Sequence, residues 1–187
     1  MTALIDELWS LPVAVTAAHE GRDNGLVALT AVPATIVPEA PRVLVELAQA
    51  SLTHDLVLAS GAFAVHLLRA PPDDATLALV AALGLRSGRE GDKLASLATR
   101  RGATGVPLLL DTLGYLEARV VATLDLGELT VVVGDVVAEE RLHDGPALRF
   151  AELDERMPTG WLETRREAEI TEARRARARS QPPAPPA

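Results

Sequence analysis

Residues 43–68 constrain the fold more than any other stretch of the chain. An apolar run begins at Val43, the turn Ser51-Leu-Thr53 follows, a short apolar segment stops at Gly61, and a second apolar run ends at Leu68. This order predicts strand, hydroxyl-bearing turn, short helix, glycine stop and second strand. Thr53 is the predicted N-cap of the helix and Gly61 its predicted end.

The same turn can be interpreted in a second way, as an anion site. The hydroxyls of Ser51 and Thr53 stand where the first free backbone N–H groups of a helix converge. Such a terminus attracts a phosphate through its dipole and its unpaired donors. Plain N-capping needs no ligand, so the sequence leaves both interpretations open.

The composition indicates one β-rich domain with a tail. With 187 residues the chain is long enough for one well-buried domain. Hydrophobic residues make up 48% of it and aromatic residues only 3%, so Val, Leu and Ala must build the core of a barrel or sandwich. The formal net charge of −8 predicts no nucleic-acid role and favours small-molecule or protein partners.

The residues that bind metals and span membranes are scarce. Cysteine is absent, and the four histidines (His19, His54, His66 and His143) show no paired spacing, so no metal site is predicted. No apolar run reaches the roughly 18 residues of a membrane span. We therefore expect no membrane association and, by default, a cytoplasmic location.

Turn-forming residues divide the first half of the chain. Residues 12–19 predict a first strand, and residues 26–35 predict a second strand. Between them, residues 20–25 are dense in turn formers and predict a turn, with Asn24-Gly25 as a hairpin signal. Pro33 indicates that this second strand lies at an edge or is bulged. Residues 36–42 then predict a connection, and residues 4–9 a short amphipathic helical turn.

The second half predicts helices around one long hairpin. The acidic start and glycine end of residues 71–84 predict a helix, and residues 115–124 and 128–139 predict two long strands joined over residues 125–127. The remaining expectations are a helix at 94–98, a loop at 100–107, a strand at 147–151 and a helix at 161–180. The predicted divisions are a body of residues 1–155, a helical arm of residues 156–180 and a disordered Pro-rich tail of residues 181–187.

A series of short motifs, in this order, resembles the flavin reductase family. The resemblance covers roughly residues 10–142. It rests on Asn24-Gly-Leu-Val-Ala-Leu-Thr30, Pro41-Arg-Val-Leu-Val45, Ser51-Leu-Thr-His54, Gly61-Ala-Phe-Ala-Val-His-Leu67, Gly88-Arg-Glu-Gly-Asp-Lys93, Leu116-Glu-Ala-Arg-Val-Val121 and Val133-Gly-Asp-Val136. It implies a mainly β fold with flanking helices, the FMN-binding split β-barrel.

The resemblance also implies a function and a site. Proteins of this family bind FMN in a groove at a homodimer interface, and NAD(P)H supplies electrons to a flavin or a small substrate. The flavin performs the hydride chemistry, so no catalytic side chain is required. The residues expected to contact the cofactor are Leu29, Thr30, Ala31, Val32, Ser51, Leu52, Thr53, His66 and Lys93.

Several alternatives remain open. After the Asn-Gly turn only Thr30 and Thr35 carry hydroxyls, which favours a cofactor-free dimeric split barrel that serves as a binding or scaffold module, with the Arg-rich C-terminal helix as its contact element. A split barrel that uses a deazaflavin is a further alternative; haem is disfavoured because only His54 and His66 could bind iron. His66 is either a cofactor contact or a structural histidine paired with the backbone. Lys93 either neutralises a phosphate or is solvent-exposed.

Overall fold

The computed structural model describes residues 11–180, which form one curled antiparallel sheet with helices on its flanks. The predicted helical turn at 4–9 and the tail at 181–187 lie outside the described residues. The elements are β1 (Val13–His19), β2 (Arg22–Ala28), β3 (Ala31–Pro33), β4 (Arg42–Ala48), α1 (Leu52–Ser60), β5 (Ala62–Leu67), α2 (Asp74–Gly84), β6 (Thr99–Arg101), β7 (Pro107–Leu109), β8 (Gly114–Asp125), β9 (Leu129–Arg141), α3 (Phe150–Asp154) and α4 (Trp161–Ser180).

The strand order forces the main sheet to curl. Its seven strands run in the order β2-β1-β5-β8-β9-β4-β3, so β2 and β3 are consecutive in sequence but lie at opposite edges. Only Leu29 and Thr30 separate them, and a residue spans at most about 3.5 Å. The two edges must therefore approach each other, which gives the expected split barrel. Pro33 lies in the edge strand β3, as its missing N–H predicted.

The first hairpin turns at the start of the predicted segment of residues 20–25, and not at its Asn-Gly pair. Its turn is Glu20-Gly21, with φ angles of 48° and 76°, whereas Asn24 and Gly25 lie inside β2. The Asn-Gly turn prediction is wrong because both residues serve the tertiary packing. A Cβ at Gly25 would meet three neighbouring atoms at 3.2 Å, and the Asn24 amide donates to the hydroxyl of Thr53.

Two apolar clusters hold the fold together. One joins the sheet to α1 and includes Val45, Leu47, Val57 and Phe63. The other joins α2, α3 and the start of α4 and includes Leu79, Leu83, Leu148, Leu153 and Trp161. The helix predicted to end at Gly84 is confirmed, with Asp73 as its N-cap. The body and the first turn of α4 therefore share one core.

Local patterns in the last third were right for long elements and wrong for short ones. The hairpin of β8 and β9 and the helix at 161–180 are confirmed. Residues 94–98 form a turn rather than a helix, and the predicted loop at 100–107 contains parts of β6 and β7. The predicted strand at 147–151 is wrong, because α3 begins at Phe150, where the Glu152 carboxylate accepts from the N–H of Arg149.

Candidate functional site

A cavity of about 760 Å³ lies where the two edges of the barrel approach each other. Its walls come from the ends of β2 and β4, the start of α1, the loop that follows α2, and α4. Five of the residues predicted to contact a cofactor line it: Leu29, Thr30, Ser51, Leu52 and Lys93. The fold therefore brings together residues that are far apart in the sequence.

Helix α1 begins at this cavity, with Ser51 as its N-cap. Ser51 has an extended backbone, and its Oγ accepts a hydrogen bond of 3.1 Å from the N–H of His54. The prediction that Thr53 is the cap is therefore wrong by two residues, whereas the end at Gly61, with φ of 67°, is confirmed. Since Ser51 accepts in this bond, its own O–H remains a donor toward the cavity. The leading N–H groups of α1 have no partner within the helix.

The hydroxyl of Thr53 forms a hydrogen bond inside the protein and does not face the cavity. Its side chain is completely buried, and its Oγ1 accepts a hydrogen bond of 3.1 Å from the Asn24 side chain. This bond ties the first turn of α1 to β2. Thr53 does not line the cavity, and neither do Ala31 and Val32, which lie in the edge strand β3.

Lys93 is buried at the cavity wall. Its ammonium donates to the carbonyl oxygen of Leu83 at 2.8 Å and to that of Gly25 at 3.1 Å. The carbonyl of Leu83 belongs to the last turn of α2, where the helix dipole favours a cation. The alternative of a solvent-exposed cation is therefore wrong, because only 6% of this residue is exposed.

His66 lies in β5, completely buried and away from the cavity. The N–H of Leu109 donates to its Nε2 at 3.0 Å, and its Nδ1 lies 3.3 Å from the carbonyl oxygen of Ala14, which assigns the ring proton to Nδ1. Burial lowers the pKa of His66 to about 4, against smaller raising effects of the Ala14 carbonyl and the Glu117 charge. Both ring nitrogens of His66 are thus paired with the backbone, and the predicted contact of His66 with a cofactor stays a prediction.

Other lining residues were not predicted as site residues. Trp161 and Arg165 of α4 belong to the wall, and the i, i+4 spacing of these two residues was the available signal. In the loop after α2, a Cβ at Gly88 would collide with the Asn24 side chain, so the loop backbone passes directly over β2. The lining also carries Arg86 and Ser87 from this loop.

The charges around the cavity are balanced. Glu46, Glu90 and Glu128 line it together with the three cations Arg86, Lys93 and Arg165. Among the side chains that the structure describes within residues 11–180, no group of three or more His, Asp or Glu residues is arranged to hold a metal ion. Over the same range, no helix combines the length and the apolar character that a membrane span requires. Because the charges of the lining offset each other, the feature that favours an anion is the N-terminus of α1, next to the apolar part of the lining.

Comparison with known proteins assigns this architecture to a family. The family model described as flavin reductase like domain matches residues 9–153. A high molecular weight rubredoxin from Moorella thermoacetica is 33% identical over 138 residues, which are 73% of this chain and 58% of that protein. A ferric-chelate reductase (NAD(P)H) from Archaeoglobus fulgidus is 32% identical over 139 residues, 74% of this chain and 79% of that protein. The chain thus spans little more than half of the first relative.

A solved structure supports the same fold. An FMN-binding protein from Thermus thermophilus, crystallised with bound p-hydroxybenzaldehyde, superimposes with a TM-score of 0.62 and 27% identity. The match covers 70% of this chain and 71% of that one. The segment that matches the family model includes the cavity walls formed by β2, β4 and α1.

Proposed function

The chain belongs to the flavin reductase-like domain family, and on that premise we propose that it binds FMN in the cavity and passes electrons from NAD(P)H to a flavin or another small substrate. One observation carries the proposal: the N-terminus of α1, capped by Ser51, opens into a cavity of ligand size within the matched segment. The names of the related reductase and of the FMN-binding protein are consistent with it.

The donors at the start of α1 fit a phosphate. The Ser51 O–H and the leading N–H groups of the helix converge there, and a phosphate dianion requires several such donors. The apolar side chains of Leu29 and Leu52 line the same cavity and fit a flat aromatic ring. The cofactor contacts predicted for Ala31, Val32, Thr53 and His66 stay predictions, because these residues do not line the cavity.

The residues of this chain would position the ligand rather than react with it. When bound, a flavin supplies the electron and hydride chemistry itself. Thr30 and the backbone of Leu29 lie at the junction of the two barrel edges, where they can orient a ring system. The positive charges of Lys93 and Arg86 at the wall offset carboxylates of the same lining, so the donors at the start of α1 are the groups that attract an anionic ligand.

Dimerisation belongs to the same proposal. The far end of the β8–β9 hairpin carries the exposed apolar residues Val121, Leu124 and Leu126. Exposed apolar side chains that are close together on a long hairpin are typical of a surface that another chain covers. Light scattering after size-exclusion chromatography should give twice the 19.8 kDa chain mass; a monomer at micromolar concentration would contradict this part. The cytoplasmic location stays a prediction.

An absorbance spectrum tests the cofactor. The purified protein is incubated with excess FMN, desalted, and compared with the untreated protein. Retained bands near about 370 and 450 nm that bleach anaerobically with NADH or NADPH are the expected result. Ser51→Ala should retain less flavin, and Ser60→Ala is a matched control, because Ser60 lies at the opposite end of α1 and does not line the cavity.

A cofactor-free binding module is the second candidate. The Thr53 hydroxyl and both ring nitrogens of His66 form hydrogen bonds inside the protein. Of the hydroxyl-bearing residues predicted to contact a cofactor, Ser51 and Thr30 are left for a ligand, and this small number favours the cofactor-free candidate. A dimer that retains no FMN after desalting would select this candidate. Retention of a deazaflavin in place of FMN would select the other alternative.

A further inference from the structure

Helix α4 lies outside the segment that matches the family, yet it borders the same cavity as Ser51 and Thr30. We propose that this helix is a specificity wall, which limits the cavity to a mononucleotide-sized flavin and disfavours the dinucleotide FAD. The inference rests on the proposed function, since it concerns which flavin the site accepts. The lining residues that α4 contributes are Trp161, Thr164, Arg165, Ile170 and Ala173.

The start of the wall is fixed to the body of the protein. Trp161 is buried, and its indole N–H donates to Asp154 Oδ1 at 2.8 Å. One turn later, Arg165 is nine-tenths buried, and its Nη2 donates to the carbonyl oxygen of Val27 at 2.8 Å. Hydrogen bonds from an ionised donor are the stronger class. Since Val27 belongs to β2 and also lines the cavity, α4 is anchored to another wall of the same cavity.

Farther along, α4 presents aliphatic side chains to the cavity. Ile170 and Ala173 are three residues apart, so they lie on one face of the helix. Thr171 is exposed and does not line the cavity. It lies about 200° from Ala173 around an ideal helix, which places it on the opposite face. The sequence of α4 therefore offers a cavity position and a nearly adjacent solvent position for matched substitutions.

The volume of the cavity, which is partly open to solvent, fits a mononucleotide. A cavity of about 760 Å³ falls within the roughly 300–1,000 Å³ that encloses one drug-sized ligand. FAD is FMN extended by an adenosine monophosphate group, so it needs considerably more room. The walls of β2, β4 and α1 lie within the family-matched segment, whereas α4 follows residue 153 and lies outside that segment. We assign the size limit to α4 for this reason.

Equilibrium binding of the two flavins tests the proposal without requiring turnover. Quenching of flavin fluorescence is titrated with FMN and with FAD for the unmodified protein and for Ala173→Trp, Ile170→Ala and Thr171→Trp. We expect the unmodified protein to bind FMN more tightly than FAD. Ala173→Trp should weaken FMN binding about tenfold, since it fills the space that the ligand needs. Ile170→Ala should bring the two affinities closer together, and Thr171→Trp should match the unmodified protein.

The outcomes separate this inference from the function on which it rests. Equal affinities of the unmodified protein for FMN and FAD, or an unchanged FMN affinity in Ala173→Trp, would overturn the wall and leave FMN binding intact. If the unmodified protein binds neither flavin, the proposed function fails and the wall fails with it. Thermal unfolding followed by circular dichroism verifies that each variant is folded, which is expected because Ile170 and Ala173 are not fully buried.

Discussion

Two regions of this protein contain polar side chains but use their hydrogen-bonding capacity differently. Around β5 and the β6–β7 loop, His66 and Glu117 are buried and form hydrogen bonds with backbone groups. At the start of α1, Ser51 and Thr30 are only partly buried and line a cavity. The difference teaches that a polar side chain is available to a ligand only where the tertiary fold leaves its bonding capacity unused.

The largest effect should come from removing the Glu117 carboxylate. It accepts hydrogen bonds from the N–H groups of Ala103 and Thr104 and from the Thr104 hydroxyl, at 2.7–3.1 Å. Glu117→Ala leaves these three donors without their acceptor, and we expect the free energy of unfolding to fall by about 3 kcal/mol. Urea unfolding measures it. The control is Glu139→Ala, an exposed residue on the adjacent strand, and an equal effect of both variants would contradict the structural role.

A pH-dependent effect of similar size should come from His66. In the folded protein its pKa is about 4, against 6.5 for an ordinary histidine. As the pH falls below about 6.5, His66 becomes protonated in the unfolded chain, whereas in the folded chain it stays neutral until about pH 4. The free energy of unfolding therefore decreases across this window by up to about 3 kcal/mol.

His66→Asn isolates this contribution. Its amide can take the place of Nδ1 and still donate to the Ala14 carbonyl, and it does not titrate. We expect the free energy of unfolding of the variant to depend less steeply on pH between 6.5 and 4 than that of the unmodified protein. Identical pH profiles of the two proteins, measured by urea unfolding, would show that His66 does not titrate in this window.

The smallest and sharpest test compares Ser51 with Thr53. Ser51→Ala removes the N-cap and a cavity donor, so we expect a stability loss of about 1 kcal/mol and weaker FMN binding. Thr53→Val removes only the buried acceptor of Asn24, so a similar stability loss should leave FMN binding unchanged. Thermal unfolding and flavin titration measure both effects. Equal FMN affinities of the two variants would show that the cavity-lining hydroxyl of Ser51 is no more available to a ligand than the engaged hydroxyl of Thr53.

Local sequence patterns correctly predicted the long strands and the helices with clear end signals. The long alternating strands of the β8–β9 hairpin and the helix ended by Gly61 were found because their signals are local. The Asn24-Gly25 turn was misplaced because the reason for both residues is tertiary: Asn24 donates to Thr53, and Gly25 has no room for a side chain. A short-range pattern cannot distinguish a glycine that turns the chain from one that is crowded by neighbours.

The site was predicted only in part for the same reason. Ser51 and Thr30 were found from a motif order, and the cavity joins them. His66 and Thr53 were expected beside them, but their partners Leu109 and Asn24 are 43 and 29 residues away in sequence. Arg165 was missed because its partner, Val27, is 138 residues distant. Pairings over such separations depend on the folded topology rather than on local composition.

The short connection of Leu29 and Thr30 limits the gap between the two edges of the barrel. Because only these two residues join strands at opposite edges of the sheet, their extended length sets an upper limit on how far those edges can separate. The cavity opens at the same junction, so an insertion or deletion here would resize the barrel and its binding space together.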